Sequence, residues 1–284
     1  KKGDIKTTKT NNLAIINSSQ IDTTTSHIAL KTENLSIGYS NKKQQSCVAR
    51  DINFSLVTGE LAAIVGINGI GKSTLLRTLG NVQPKLSGSI TLNNLPLEQH
   101  TIAELAAEIS VVLTEPIASK NLTVLELISL GRQPYTNWIG TLTSDDRDQI
   151  SMALDMVQIA ELRFKKCYEL SDGQLQRVMI ARAIAQDTQL ILLDEPTTHL
   201  DLYHKVQILK LLKSIAHTTK KTILFTTHEI EIAIQLCDKM LILEKTQSTF
   251  GSPCELIQQK SFENLFPTDT ITFDAQTGSF RVNK

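Results

Sequence analysis

The sequence predicts an α/β fold with a parallel sheet, an antiparallel β region near its start and an inserted helical subdomain. A glycine-rich loop at 66–71 lies between an apolar run at 61–65 and a segment with helical character. After residue 189, short apolar runs alternate with segments of helical length, which is typical of parallel strands joined by crossover helices. Two helix-start signals between these regions indicate the insert.

Strands are predicted where apolar residues alternate with polar ones or run together. The stretches 28–39 and 52–65 form the predicted antiparallel region that leads into the glycine loop. Later strands are predicted at 89–92, 109–113, 190–193, 222–225 and 240–243, helices at 174–185, 202–216 and 229–236, and a hairpin at 271–273 and 279–282. Within the insert, Thr123 and Glu126 form a capping box and Gly131 predicts the helix end. A second helix is expected from 143 or 144 to 154–159, with acids in its first turn.

This pattern divides the chain into three parts. Residues 1–27 are rich in Lys, Thr, Asn and Ser, and we expect a polar, mobile tail. Residues 28–250 form the predicted main domain, with the helical subdomain at about 115–172. Residues 251–284 form a predicted C-terminal extension that ends in the small hairpin.

Composition narrows the class of protein. The 284 residues are 41% hydrophobic, which is enough for a sizeable core. Lys and Arg number 29, as do Asp and Glu, so no general attraction to nucleic acid or anionic membrane is expected. Four widely spaced cysteines indicate reduced thiols. Since neither a secretory signal nor a run of ~18 apolar residues is present, we expect any membrane role to come through another subunit.

The glycine loop has the sequence Gly-Ile-Asn-Gly-Ile-Gly-Lys-Ser-Thr, which is a phosphate-binding loop (P-loop). Glycines let successive backbone N–H groups and a helix N-terminus point at one anion. Lys72 adds a positive charge, Ser73 supplies a hydroxyl for Mg²⁺, and Thr74 steadies the phosphates. The predicted ATP contacts here are Gly66, Asn68, Gly69, Ile70, Gly71, Lys72, Ser73 and Thr74. By itself, such a loop is also compatible with a sharp turn.

Two acids follow the apolar strand at 190–193, so their carboxylates emerge at the sheet edge where α/β proteins bind ligands. Asp194 is predicted to hold Mg²⁺ together with Ser73. Glu195 is predicted to orient or deprotonate the attacking water. The alternative is a solvated strand end.

A second anion site is predicted where Leu-Ser-Asp-Gly-Gln, residues 170–174, precedes a helix. The hydroxyl of Ser171, the N–H of Gly173 and the helix N-terminus point at one place. An ordinary helix cap is the alternative.

These motifs, with Thr227-His228 after a further strand, resemble in order and spacing those of the ATP-binding-cassette ATPases over roughly residues 28–244. The resemblance implies that two copies face each other head to tail. Each ATP then lies between the P-loop of one copy and residues 170–174 of the other, so Ser171, Gly173 and Gln174 bind in trans.

By the same resemblance, Tyr39 stacks on adenine, His228 contacts the γ-phosphate and the attacking water, and Asp201 links the two sites. Lys72, Glu195 and His228 are therefore the expected catalytic residues. For Tyr39 the alternative is a half-exposed strand aromatic, and for His228 it is a structural role.

The sequence departs from the family at two positions. Where the family usually has a glutamine that reaches Mg²⁺ and water, this chain has Thr114 followed by Glu115, and either is a candidate metal contact. Thr114 is short and would need a bridging water there, whereas Glu115 has the reach. Asp172 stands where glycine is usual, and we expect its side chain to point away from the phosphate.

The insert also resembles that of ATPase subunits from iron-siderophore, haem and cobalamin importers. The similarity covers Gly-Arg-Gln-Pro-Tyr at 131–135, then Trp138 and Asp145. It implies that residues 114–138 receive a short helix from a membrane permease. Alternatively, Tyr135 and Trp138 pack in the core of the insert.

The leading hypothesis is therefore the ATPase of a bacterial importer, bound peripherally at the cytoplasmic face of the inner membrane. It would use ATP and Mg²⁺, pair with a second copy and with permease subunits, and meet a substrate-binding protein only indirectly. The alternatives are an exporter ATPase, a soluble cassette ATPase of iron-sulfur assembly and a nucleic-acid- or ribosome-acting cassette. The last is disfavoured by the balanced charge and the single cassette.

Overall fold

The computed structural model describes residues 27–41, 44–115, 119–263, 265–267 and 269–283. The predicted tail, 1–27, lies outside them except for its last residue. The strands are β1 (Ile28–Asn41), β2 (Gln44–Val57), β3 (Leu61–Val65), β4 (Ser87–Leu92), β5 (Leu95–Pro96), β6 (Ile109–Val112), β7 (Leu190–Leu193), β8 (Thr222–Thr226), β9 (Lys239–Leu243), β10 (Ser248–Gly251), β11 (Ile271–Asp274) and β12 (Ser279–Val282). The helices are α1 (Lys72–Leu79), α2 (Ile102–Glu108), α3 (Val124–Ser129), α4 (Ser144–Met156), α5 (Asp172–Ala185), α6 (Leu202–Thr219), α7 (Ile230–Leu236) and α8 (Pro253–Gln258).

The central sheet has six strands in the order β10-β9-β3-β8-β7-β6. Five of them run parallel, and β10 pairs antiparallel to β9 at one edge. Every residue of β3, β7 and β8 is buried, which explains their unbroken apolar or β-branched sequences. Because the five strands are parallel, their carboxyl ends lie at one edge.

The antiparallel region forms a separate sheet with the order β2-β1-β4-β5. The prediction that 52–65 belongs wholly to this region was wrong. The antiparallel sheet contains the residues up to Val57. A turn at 58–59 then leads to β3, which belongs to the central sheet and pairs in parallel with β8 and β9. Apolar periodicity identifies a strand but not its partners, so this change of sheet was not visible in the sequence.

Two hydrophobic cores lie on opposite faces of the central sheet. Alternate residues of β3 belong to different cores, with Ala63 in one and Ile64 in the other. The first core also holds apolar residues of α3–α6, and the second holds those of α1 and the antiparallel sheet. The P-loop helix is therefore packed between the two sheets.

The helical insert has the predicted capping box at Thr123 and a second one, at Thr143, that the sequence analysis did not predict. Thr123 caps α3 reciprocally with Glu126, and Thr143 does the same for α4 with Asp146. Gly131 does not end the helical segment, because α3 tightens into a 3₁₀ turn over Leu130–Tyr135 that includes it. The interpretation of Trp138 as a core residue was wrong, since it is 94% exposed.

The C-terminal residues form the predicted hairpin from β11 and β12. Leu256, Phe262 and Leu265 are buried in the core that also holds the apolar residues of α3–α6. The sequence analysis did not predict α2, α8, β10 or the first half of β2. The boundaries of the tail, the subdomain and the C-terminal extension stay predictions.

Among the described residues, no helix combines the length and the apolar character that crossing a bilayer requires.

A buried ion pair holds the insert together. Arg132 Nε donates to Asp146 Oδ1 at 2.8 Å, and the two side chains are only 8% and 3% exposed. Arg132 also donates to the carbonyl oxygen of Ala185 at the end of α5, so the pair joins α4, α5 and the 3₁₀ turn. Hydrogen bonds from the Thr143 backbone, and then from Arg132 and the Thr143 hydroxyl, lower the pKa of Asp146 to about 2.

We expect Asp146→Asn to destabilise the protein at pH 7 by ~3 kcal/mol, because it leaves the Arg132 charge buried without a counter-charge. Since folding depresses the pKa of Asp146, its charge stabilises the native state fully above about pH 4 and progressively less as the pH falls toward 2. Urea unfolding should show that the difference in unfolding free energy between wild type and Asp146→Asn is smaller at pH 3 than at pH 7. Asp145→Asn, an exposed acid in the same helical turn, is the control. Equal stability of the two variants at pH 7 would contradict the prediction.

Candidate nucleotide-binding site

The P-loop connects β3 to α1, and two of its glycines cannot be replaced without distortion. A Cβ at Gly66, where φ is +155°, would lie 2.6 Å from the carbonyl oxygen of Leu243. A Cβ at Gly71, where φ is +113°, would lie 2.5 Å from Val48 Cγ1. Both residues therefore allow the loop to fold closely against neighbouring backbone and strand β2.

An open cavity of about 520 Å³ lies over this loop. Its lining combines the P-loop, one aromatic residue and the region of the acids: Tyr39, Val48, Asn68, Gly69, Gly71, Lys72, Ser73, Thr74, Glu195 and His228. The structure thus brings together most of the residues predicted for one copy's ATP site. Gly66 and Ile70 belong to the loop but do not line the cavity.

Lys72 is buried at the base of the cavity. Its ammonium donates to the carbonyl oxygens of Gly66 at 2.9 Å and Ile67 at 3.3 Å. Burial lowers the pKa of Lys72, while the charges of Glu195 and Asp194 act to raise it. The loop carbonyls hold the ammonium inside the cavity it lines.

Asp194 accepts hydrogen bonds from three hydroxyl groups. Ser73 and Thr226 donate to Oδ1 at 2.9 and 2.6 Å, and Thr114 donates to Oδ2 at 3.2 Å. The oxygen-only set of Ser73 and Asp194 fits Mg²⁺, which protein sites hold through one or two carboxylates together with substrate phosphates. Within the described part of the chain, no group of three or more His, Cys, Asp or Glu side chains could hold a metal by itself.

Glu195 follows Asp194 in the left-handed backbone region, with φ of 47°. Thr198 Oγ1 donates to Glu195 Oε2 at 2.9 Å, and His228 Nδ1 lies 3.8 Å from the same oxygen. His228 Nε2 lies 3.2 Å from Glu229 Oε1. Glu195 and His228 therefore lie side by side in the lining of the cavity.

Tyr39 lies on β1, is 54% exposed and lines the cavity. Its hydroxyl group is 3.1 Å from Thr74 Oγ1, the P-loop residue that precedes Leu75 in α1. This hydrogen bond holds the Tyr39 side chain beside the P-loop.

Thr114 and Glu115, the two candidates at the position where the family usually has glutamine, contact different residues. Thr114 reaches Asp194 directly through its hydroxyl group. Glu115 pairs instead with Arg77 of α1, at 2.8 Å. Of the two, only Thr114 contacts the acid at the candidate metal position.

The second predicted anion site lies at the start of α5, and none of its residues lines the P-loop cavity. Ser171 and Gln174 cap the helix reciprocally, at 3.3 and 3.1 Å, so the cap foreseen as the alternative is present. A Cβ at Gly173 would lie 3.5 Å from His204 Cδ2, so α5 begins beside the start of α6.

Asp201 caps α6, with Oδ1 accepting from His204 N–H and lying 2.9 Å from its Nδ1. These hydrogen bonds, from the His204 backbone first, lower the pKa of Asp201. Asp201 therefore contacts His204, and the ring of His204 lies near Gly173 of the same chain.

Sequence analysis missed four residues of this region: Val48, Arg77, Thr198 and Thr226. Val48 lies in the unpredicted half of β2, and Arg77 falls inside a helix without a motif. Thr226 follows the predicted strand at 222–225 and belongs to no motif. Its position beside the acids depends on strand order, which no local signal in the sequence reports.

Comparison with known proteins agrees with this geometry. Residues 49–198 match the family described as ABC transporter. The chain is 36% identical over 251 residues to the iron(3+)-hydroxamate import ATP-binding protein FhuC of Bacillus subtilis, covering 88% of this chain and 92% of that protein. This chain belongs to the ABC transporter family.

Two further similarities extend the comparison. The chain is 33% identical to the petrobactin import ATP-binding protein FpuD of Bacillus anthracis, over 84% of this chain and 86% of that protein. A dimeric ATP-binding cassette solved in a post-hydrolysis state with ADP and Pi is 26% identical, with a TM-score of 0.66 over 79% of this chain and 98% of that one. The P-loop ABC ATPase fold and the capacity to bind and hydrolyse ATP in transport follow for this chain.

We expect Lys72→Ala to weaken ATP binding by about 10- to 100-fold, because a hydrogen bond from a charged donor contributes about 1.5–3 kcal/mol. Titration with a fluorescent ATP analogue measures this affinity. Lys245→Ala, at an exposed lysine after β9, removes a similar charge outside the cavity and should bind normally. Unchanged affinity of Lys72→Ala would rule out its predicted contact with phosphate.

Proposed function

We propose that this chain is the ATP-hydrolysing subunit of a bacterial importer for an iron-siderophore, haem or cobalamin, with the iron-siderophore class favoured. The observation that carries the proposal is the similarity, over more than four-fifths of the chain, to relatives named as iron(3+)-hydroxamate and petrobactin import proteins. The importer-like sequence of the insert supports the same class.

Within one copy, the P-loop amides and Lys72 would bind the phosphates of ATP while the ring of Tyr39 stacks on adenine. Ser73 and Asp194 would hold Mg²⁺, with Thr114 orienting Asp194 through its hydroxyl. When bound, Mg²⁺ neutralises charge on the phosphate oxygens.

Glu195 would act on the attacking water. Its carboxylate lines the cavity, and Thr198 and His228 flank one of its oxygens. A positioned carboxylate can accept a proton from water as that water attacks the γ-phosphate. His228, on the same side of the cavity, would contact the γ-phosphate and help to position the water.

The second half of each ATP site would come from another copy. Ser171, Gly173 and Gln174 stand apart from the P-loop cavity of their own chain, which is the arrangement a head-to-tail dimer needs. The dimeric relative with ADP and Pi supports this pairing. Asp201, at the start of α6 close to Gly173, would then link the two sites across the dimer.

Membrane permease subunits would dock on residues 114–138, of which 116–118 lie outside the described residues. Within this docking surface, Trp138 is 94% exposed and Tyr135 is 40% exposed with Arg132 4.0 Å above its ring. Exposed aromatic side chains of this kind are enriched at protein interfaces. The chain would thereby associate peripherally with the cytoplasmic face of the membrane, and the substrate-binding protein would meet only the permease.

We expect Glu195→Gln to retain ATP binding but to slow hydrolysis by about 100-fold or more, because the amide cannot accept the proton from water. The variant should also accumulate as an ATP-bound dimer. Steady-state turnover and the molar mass in solution with ATP measure both effects. Glu161→Gln, at an exposed acid of the insert, is the matched control. Turnover near that of the control would remove Glu195 from the proposed role.

The transport role is tested by the ATPase rate at increasing protein concentration, with and without vesicles containing the candidate permease. Sites shared between two copies should give a rate per chain that rises with concentration, and a true permease should stimulate it further. Uptake of a radiolabelled iron chelate into the same vesicles then distinguishes import from export. A constant rate without any permease effect would favour a cassette ATPase that acts without a membrane partner.

A further inference from the structure

The hydroxyl group of Thr226 joins the two acids of the site, and none of the roles proposed above uses it. Thr226 is the last residue of β8, the strand between β3, which leads to the P-loop, and β7, which leads to the acids. Its side chain is fully buried. Oγ1 donates to Asp194 Oδ1 at 2.6 Å and accepts from the backbone N–H of Glu195 at 2.9 Å.

These two hydrogen bonds act on different parts of the site. The first fixes the rotation of the Asp194 carboxylate, whose Oδ1 also accepts from Ser73. The second holds the amide of Glu195, a residue whose backbone lies in the left-handed region with φ of 47°. Residues other than glycine adopt this conformation only when their surroundings enforce it.

The direction of the Glu195 side chain depends on that backbone conformation. With the amide held by Thr226, the carboxylate reaches Thr198 Oγ1 at 2.9 Å and lies beside His228. One hydroxyl group therefore orients the carboxylate of Asp194 and holds the backbone from which the Glu195 side chain extends. We propose, on the basis of the roles proposed above for Asp194 and Glu195, that Thr226 is a positioning residue for ATP hydrolysis.

The same strand supplies a matched control. Thr222, four residues earlier in β8, is also fully buried, and its hydroxyl donates to the carbonyl oxygen of Val57 at 3.2 Å. Thr222→Val and Thr226→Val both delete one buried hydroxyl group and keep the branched side-chain shape. Only Thr226→Val removes a contact to the acids.

The experiment compares Thr226→Val, Thr226→Ser and Thr222→Val in full-length protein. We expect Thr226→Val to lower kcat by about 10- to 100-fold and to raise the Mg²⁺ concentration for half-maximal binding of a fluorescent ATP analogue by about 10-fold, as loss of a residue that orients a metal ligand does. Affinity for the analogue in EDTA should stay unchanged, because the P-loop and Lys72 are intact. Thr226→Ser, which keeps the hydroxyl, should recover both properties, and Thr222→Val should retain them.

Three outcomes would overturn this role. The first is a normal kcat and a normal Mg²⁺ dependence of ATP-analogue binding in Thr226→Val. The second is an equal loss of kcat and of Mg²⁺ affinity in Thr222→Val. The third is a Thr226→Ser variant that recovers neither property. If Thr226→Val does not fold, Thr226→Cys replaces it, since the thiol is a weaker donor of similar size. Wild-type values for Thr226→Cys would equally contradict the role.

Glu195→Gln, measured alongside, separates this role from the proposed function. Normal turnover of Glu195→Gln would disprove the proposed role of Glu195 itself. An inactive Glu195→Gln with an unaffected Thr226→Val would disprove only the positioning role of Thr226.

Discussion

The orientation of the Asp194 carboxylate depends on one constraint: the parallel strands of the central sheet all end at one edge. Ser73 comes from the loop and helix after β3, Thr114 follows β6, and Thr226 ends β8. All three hydroxyl groups donate to the same carboxylate, which itself follows β7. Hydroxyl groups from three separate segments of the chain thus hold one acid in a fixed orientation. Three hydrogen bonds fix the orientation of the carboxylate, which is the kind of support that a metal-binding side chain needs.

The rest of the site is arranged around this acid. Lys72 is buried among loop carbonyls, with the negative charges of Asp194 and Glu195 nearby. Glu195 is displaced from the strand direction by its left-handed backbone, so it faces the cavity while Asp194 faces the hydroxyl groups. Two adjacent acids can therefore have different functions because the backbone between them turns.

The helical insert connects the proposed docking surface to the start of α5. The helix that follows it, α5, begins at the second predicted anion site and ends just before β7. The buried pair of Arg132 and Asp146, with the bond from Arg132 to Ala185, fixes the end of α5 to the insert. With a permease docked as proposed, a movement of residues 114–138 would reach α5 through these contacts, and the first turn of α5 holds the residues proposed to bind ATP in trans. This connection gives the proposed docking surface a physical route to the proposed in-trans residues.

Much of the site was predictable because its residues lie in short, contiguous motifs. The P-loop, the acids after β7 and the capping boxes are each set by neighbours within a few residues, so their local structure follows from sequence. The choice between Thr114 and Glu115 was not predictable. Only in the folded chain does Arg77 of α1 lie within reach of Glu115 and leave Thr114 beside Asp194.

The sequence by itself determined most of the strands and helices, the P-loop and the two acids after β7, because each depends on local periodicity or spacing. It did not indicate α2, α8, β10 or the first half of β2. Only the tertiary structure decided that β3 leaves the antiparallel region for the central sheet and that β8 lies between β3 and β7. It also decided that Thr226 joins the two acids and that Trp138 faces outward. These features depend on strand order and on contacts between distant segments, which side-chain periodicity does not encode.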